Sequence, residues 1–246
     1  MKYSKEEKAA RRAAFRAMSP AKKREHIFTY YKWPILLGLI VLAILGSALY
    51  RQLAKKEPVL YLAFANVAVG DDLADDLTEA YLQKSGADLK RQEIYLYRDL
   101  YLSENADTLN HQYAYASQMK LMAAIQSQEL DLVLMNREAY DALSARAYLL
   151  PIDEKSPGLD PDLWQKLSPF LTSNEVVISD NSIAWQLGEA DTHEIITESV
   201  TNGLELTDIA LLKNAGFDEP VYLGVIANSP RIDSVISYLS YLMEEA

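Results

Sequence analysis

Three asparagines invite a chemical reading first. Asn66, Asn136 and Asn228 each stand just past the end of an apolar, strand-like run, in LYLAFAN, DLVLMN and VYLGVIAN. At the carboxyl ends of the strands of an open parallel sheet, where such sheets hold ligands, an amide offers both donors and acceptors to a polar solute. Asparagine is also a helix cap, and Asn136 and Asn228 adjoin helix starts. Asp71, Asp72, Asp75 and Asp76 crowd together as metal ligands do, but calcium-loop spacing with its glycine and closing glutamate is missing, and a helix's first turn favours such acids. The only histidines are His26, His111 and His193 and there is no cysteine, which leaves little support for a histidine-rich metal site, a Ser-His-Asp triad or a disulfide framework. HExxH, Walker A and GxSxG patterns are absent, and no cofactor is indicated.

An enzyme reading rests on two short matches. Ser117-Gln118-Met119-Lys120 and Ser179-Asp180-Asn181 resemble two of the three motifs of penicillin-recognising serine enzymes, in which the serine attacks and the lysine assists proton transfer. The third motif, Lys-Thr-Gly on a later strand, is missing. Its nearest approximation, Lys84-Ser85-Gly86, precedes the other two, and Ser117 falls in mid-helix. Acyl-enzyme chemistry at Ser117 and Lys120 is therefore the remote alternative, and the chain is expected not to be an enzyme.

The elements that must position these residues begin with an uncharged apolar run, Trp33 to Tyr50. At about 1.5 Å per residue such a helix just reaches across the roughly 30 Å core of a bilayer, so a single transmembrane helix over 33–50 is expected. Ten Lys/Arg and three Glu precede it, whereas residues 57–246 hold 11 Lys/Arg and 32 Asp/Glu, a net −21. That asymmetry predicts a cytoplasmic basic tail (1–32), a linker (51–58) and an extracellular domain (59–246) on a single-pass cell-membrane protein. Phe28, Tyr30, Tyr31 and Trp33 would then meet the headgroups, making the lipid bilayer a partner. The acidic balance of the folded part argues against nucleic acid.

Residues 59–152 alternate strand-like and helix-like patterns. Val59 to Val69 reads as a strand and Glu93 to Leu102 as a second, with Ile94, Leu96, Leu100 and Leu102 on one face. A helix follows from about His111 to Gln128, then the buried run DLVLM at 131–135 and a helix over 137–147. Farther on, Glu175 to Ser179 and Ser182 to Leu187 read as strands flanking an Asp180-Asn181 hairpin turn, with Asp191 to Asn202 less legible. Val221 to Ala227 is a final strand, and Ser229-Pro230 opens a final helix. The order predicts an α/β fold with an open, mostly parallel sheet.

ELDLVLMNREAYDALSARAYLLPIDE and VYLGVIANSPRIDSVISYLSYLMEE resemble stretches of extracellular solute-binding proteins of the type II periplasmic-binding-protein fold. The resemblance covers mainly residues 59–152 and 204–246 and implies one lobe of that fold. Residues 153–203 are too few for a full second lobe, so a fully enclosed site of the kind formed by hinged closure is not expected. Tyr97, Tyr101, Trp164 and Trp185 would be the aromatics left to stack on a solute, with core packing the competing role for the tryptophans. The resemblance implies a non-catalytic, membrane-tethered binding or accessory module, associated with solute transport and contacting Asn66, Asn136, Asn228 and Trp185 to a small polar solute. The alternative is a scaffold or sensor of an envelope protein complex, with a transporter or envelope protein as partner and no small ligand.

Overall fold

The structure, a computed structural model, describes residues 4–54, 56–103, 111–189, 191–213 and 215–244. The chain divides into two units, residues 1–55 and 56–246. In the first, α1 (Lys5–Ala17) opens on a capping box: Ser4 Oγ accepts the Glu7 N–H at 3.2 Å, and the Glu7 carboxylate accepts the Ser4 N–H at 2.9 Å. Helix α2 (Pro20–Ala54) starts on a proline, whose missing N–H has no partner to lose in the first turn.

Among the described residues no helix is long and apolar enough to cross a membrane. The expected transmembrane helix over 33–50 is corrected on this ground. With it go the single-pass tether and the cytoplasmic and extracellular placements that rested on it. The side chains of Phe28, Tyr30 and Tyr31, expected at the headgroups, lie outside those described.

The second unit is a six-stranded sheet in the order β2-β1-β3-β6-β5-β4. Its strands are β1 (Glu57–Ala65), β2 (Gln92–Leu100), β3 (Leu132–Met135), β4 (Leu171–Asp180), β5 (Ile195–Glu205) and β6 (Tyr222–Val225). Only β1 with β2 and β1 with β3 are parallel; β3–β6, β6–β5 and β5–β4 are antiparallel. The expected mostly parallel sheet is thus corrected to a mixed one, parallel only on the β2-β1-β3 side. A strand's apolar pattern reports burial on both faces, and β6 is buried throughout whichever way it runs.

Alternation along the strands divides the core between the two faces. Leu60, Leu62, Phe64, Leu132, Leu134, Leu223 and Val225 pack toward α10 (Ile232–Glu244) through Val235, Tyr238, Leu239 and Leu242. Ala63, Ala65, Val133, Met135 and Tyr222 face the other way, toward α5 (His111–Gln126) and α6 (Arg137–Ala145). In β2 the expected face of Ile94, Leu96, Leu100 and Leu102 changes midway: β1 advances from Ala63 to Ala65 while β2 advances from Tyr97 to Leu100. The extra residue, with Asp99 at φ 59°, shifts the phase so that Leu100 and Leu102 join Tyr97 in the cluster on the other face, while Ile94 and Leu96 stay on the α10 side.

Among the described residues, one carboxylate is fully enclosed. Asp131 accepts the Tyr61 N–H at 2.8 Å, the Ser229 hydroxyl at 2.5 Å and Arg231 Nε at 2.8 Å. The Arg231 guanidinium lies over the Tyr61 ring at 4.5 Å and also donates to the Gln128 carbonyl. Paired and hydrogen-bonded in this way, a buried charge is tolerable, and it ties β1 and β3 to the segment that leads into α10.

Candidate functional site

The segment expected to form two short strands around Asp180-Asn181 is built differently. β4 and β5 form one long antiparallel pair, registered from Leu171 opposite Leu204 to Asp180 opposite Ile195. β6 pairs with β5 only at Leu204 and Glu205. Beyond that point two strands continue alone as an arm, and five consecutive β5 residues, 195–199, are exposed. Residues 182–187, expected as a strand, instead hold a short helical turn, α8 (Ser182–Gln186), and the returning strand lies where the sequence was hard to read. The reason is local: Asp180 Oδ1 accepts the Ser182 N–H at 2.8 Å and the Ser182 hydroxyl as well, which turns the chain.

The base of the arm is anchored by Tyr140. Its hydroxyl donates to Asn202 Oδ1 at 2.8 Å and lies 3.2 Å from the Thr172 carbonyl. Asn202 Nδ2 in turn donates to Ser144 Oγ at 2.7 Å. Asn202 is the residue skipped where the register passes from Thr172 opposite Gly203 to Ser173 opposite Thr201, and as a bulged residue it turns fully inward. Gly203 is required beside it, because a Cβ there would stand 2.8 Å from the Tyr140 ring. Burial pushes the Tyr140 phenol up to about 12, against the opposing influence of Arg137.

Between α6 and β4 lies an open groove of about 600 Å³, lined by Arg137, Glu138, Asp141, Ala142, Asn174 and Glu175, among others. Arg137 Nε meets Asp141 Oδ1 at 2.8 Å, and Asn174 Nδ2 donates to the same oxygen at 2.7 Å. The Arg137 guanidinium also lies 5.6 and 5.8 Å from the ring centres of Tyr140 and Tyr222, which stack at 4.9 Å. Its charge is therefore taken up within the fold, and Glu138 and Glu175 leave the groove acidic.

At the tip, His193 Nε2 is 2.8 Å from Ser182 Oγ and the imidazole stacks on Trp185 at 5.1 Å. Asn181 closes the loop, donating to the Thr192 carbonyl at 2.8 Å and accepting the Glu194 N–H at 2.7 Å. In a nucleophilic triad the imidazole stands between hydroxyl and carboxylate. Here the hydroxyl stands between Asp180 and His193, an order that ties the tip together without activating Ser182. The Ser182 hydroxyl, then its backbone N–H, and then His193 hold the Asp180 carboxyl below the usual carboxylate range.

The arm exposes large apolar side chains. Ile183 is 75% exposed, Leu187 68% and Ile178 59%, with Trp185, Ile195 and Ile196 also exposed. Ile178 is itself a bulged residue, between Val177 opposite Thr197 and Ser179 opposite Ile196.

The residues singled out from the sequence are placed as follows. Asn66 and Asn136 lie at one edge, at the ends of β1 and β3, but β6 is antiparallel to β3 and carries Asn228 to the opposite edge. The Asn66 amide is bonded through both atoms to Leu102, donating to its carbonyl and accepting its N–H at 2.7 Å each, at φ 57°. Asn136 caps α6 by accepting the Ala139 N–H at 3.1 Å, and Asn228 donates to the Ile125 carbonyl at 2.7 Å. Trp185 is exposed at the arm tip, Tyr97 is buried, and Trp164 packs partly buried against the core. Ser117 is buried within α5 and Lys120 Nζ lies over the Tyr97 ring at 5.3 Å, whereas Ser179 to Asn181 belong to the arm. Asp71 and Asp72 occupy the first turn of α3 (Asp71–Asp75), where Asp71 meets Arg98 at 2.6 Å. The Tyr140–Asn202 anchor and the Asp131–Arg231 pair carried no sequence signal, since each joins residues 62 and 100 positions apart.

No family model matches the chain, and no curated protein does. Among solved structures it is similar to an OxyR cysteine variant from Corynebacterium glutamicum with hydrogen peroxide bound, at 11% identity and a TM-score of 0.28, over 93% of this chain and 79% of that one. Full-length OxyR from Pseudomonas aeruginosa matches at 11% identity and a TM-score of 0.28, over 92% and 78%. A further Corynebacterium glutamicum OxyR variant matches at 12% identity and 0.28, over 93% and 75%. At that level the likeness carries no argument about this chain's fold or activity.

Proposed function

We propose that residues 56–246 form a non-catalytic protein-docking module, a scaffold or accessory domain whose working part is the β4–β5 arm. The observation that carries this reading is the cluster of six exposed large apolar side chains on one two-stranded extension. Scattered apolar residues are ordinary on a surface, but six of them concentrated on one short extension mark a contact site. The asparagines that would greet a small solute are occupied by backbone groups of their own fold, which favours a protein partner over a small polar ligand. The test is site-specific photo-crosslinking in the source cells, with a photoreactive residue replacing Ile183 in one full-length variant and Lys90 in another. A discrete protein adduct from position 183 and none from position 90 is expected. Indistinguishable adduct patterns from the two positions would refute the reading.

A further inference from the structure

The chemistry of the partner follows from the arm's charge. From residue 167 to residue 212 the chain holds no Lys or Arg, while Glu175, Asp180, Glu189, Asp191, Glu194 and Glu198 all fall within the arm. Every one of these six carboxylates is exposed. The strands spread them along the whole length. Glu175 lines the basal groove with Glu138 and Asp141, Glu198 stands opposite Val176 one step farther out, and Asp180 and Glu194 flank the tip. The apolar side chains run through the same stretch, so apolar contact and negative potential are presented together.

Resting on the docking reading above, we propose that the arm and its basal groove bind a protein segment that displays apolar side chains flanked by Lys and Arg. Ile178, Ile183, Trp185 and Leu187 supply apolar area, and the acidic residues supply steering and orientation, which complementary charges provide more than bare affinity. The groove is sized for a side chain to enter, and Glu138 and Glu175 make a cation its favoured occupant. A second copy of the same arm is a poor occupant, because six carboxylates would face six. Like charges brought together across an interface cost several kcal/mol.

The test uses the full-length chain and two synthetic amphipathic peptides of about 14 residues, roughly four helical turns, with leucine on one face and either lysine or glutamate on the other. Binding is read by fluorescence anisotropy. The lysine peptide is expected to bind at least about tenfold more tightly than the glutamate peptide, and more weakly as salt rises. Because the whole domain is acidic, location is tested by charge removal at two places. Glu175→Gln with Glu194→Gln and Glu198→Gln is expected to weaken the lysine peptide about tenfold. Asp72→Asn with Asp75→Asn and Glu79→Gln, an equal charge removed from the α3 region, is expected to change it less than about twofold.

Equal loss from both triple variants, or no preference for lysine over glutamate, would overturn the proposal. If Ile183→Asp abolishes binding while the arm charge variant leaves it intact, the docking reading survives and the basic-partner proposal does not. Failure of both peptides to bind overturns the basic-partner proposal as well. An arm-dependent dimer in sedimentation that strengthens as salt rises would replace the basic segment with a second copy of the chain.

Discussion

Tyr140 on α6 and Asn202 on β5 are joined by a hydrogen bond of 2.8 Å in which the phenol donates to the amide oxygen, with both side chains fully buried. This one contact seats the arm on the body of the sheet. Asn202 is available for it only because the strand bulges there, and Gly203 leaves room for the aromatic ring.

Removing the hydroxyl tests that anchor. Tyr140→Phe leaves Asn202 Oδ1 buried without its donor, and such an orphaned acceptor costs about 1–3 kcal/mol. Urea unfolding of the variant is expected to show a loss in that range with an unchanged slope; no loss would mean that the bond contributes nothing.

Gly203→Ala tests the packing side of the same anchor. Its Cβ would meet Tyr140 carbon and oxygen atoms at 2.8 Å, and forcing an extra methyl into a closed site costs about 1–3 kcal/mol. A lowered melting temperature is expected, and the double variant with Tyr140→Ala is expected to recover part of the Gly203→Ala loss, measured against Tyr140→Ala alone.

The buried pair behaves differently. Arg231→Met leaves the Asp131 charge without its cation in a site with no exposure, and breaking such a pair costs about 3–5 kcal/mol. Asp131→Asn with Arg231→Met is expected to recover part of that loss. A loss that the second substitution cannot lessen would place the energy elsewhere.

Alkaline pH reports on the buried phenols. Burial raises Tyr140 and Tyr97 to about 12, so folding favours their protonated forms. Stability is therefore unaffected below the ordinary tyrosine range near about 10 and declines as pH rises from there toward about 12. Denaturation midpoints across that window, with Tyr97→Phe for comparison, check the sign.

Acid acts at the arm tip in the opposite sense. Ser182 and His193 depress Asp180, so the ordering of the tip is present above the usual carboxylate range and is lost as pH falls through the depressed value. Trp185, stacked on His193, is the reporter, and its fluorescence is expected to change in acid in the wild type and not in Asp180→Asn.

What was legible in the sequence and what was not divides along physical lines. β1, β2, β3 and the helices after them follow from local periodicity, and Asn136 as a cap follows from its place before α6. Strand direction does not follow, because β6 is apolar on both faces whether it runs up or down, and the shared edge of Asn66, Asn136 and Asn228 dissolved with it. The arm was misread because Ser182 to Leu187 looks extended by composition, while the Asp180 and Asn181 side chains bind the backbone around them and impose a turn. β5 was hidden because the run of exposed residues from 195 to 199 shows no alternation between buried and open positions.

The central claim is that the arm's apolar side chains are a contact surface and carry no weight in the fold. Its most direct test is the melting temperature of the full-length chain with Ile183→Asp and Leu187→Asp together. The predicted result is a melting temperature unchanged within error, with loss of the crosslink from a photoreactive residue at position 178. A fall corresponding to about 2–5 kcal/mol, as truncation of core residues gives, would contradict it by showing that these side chains are packed inside the folded protein.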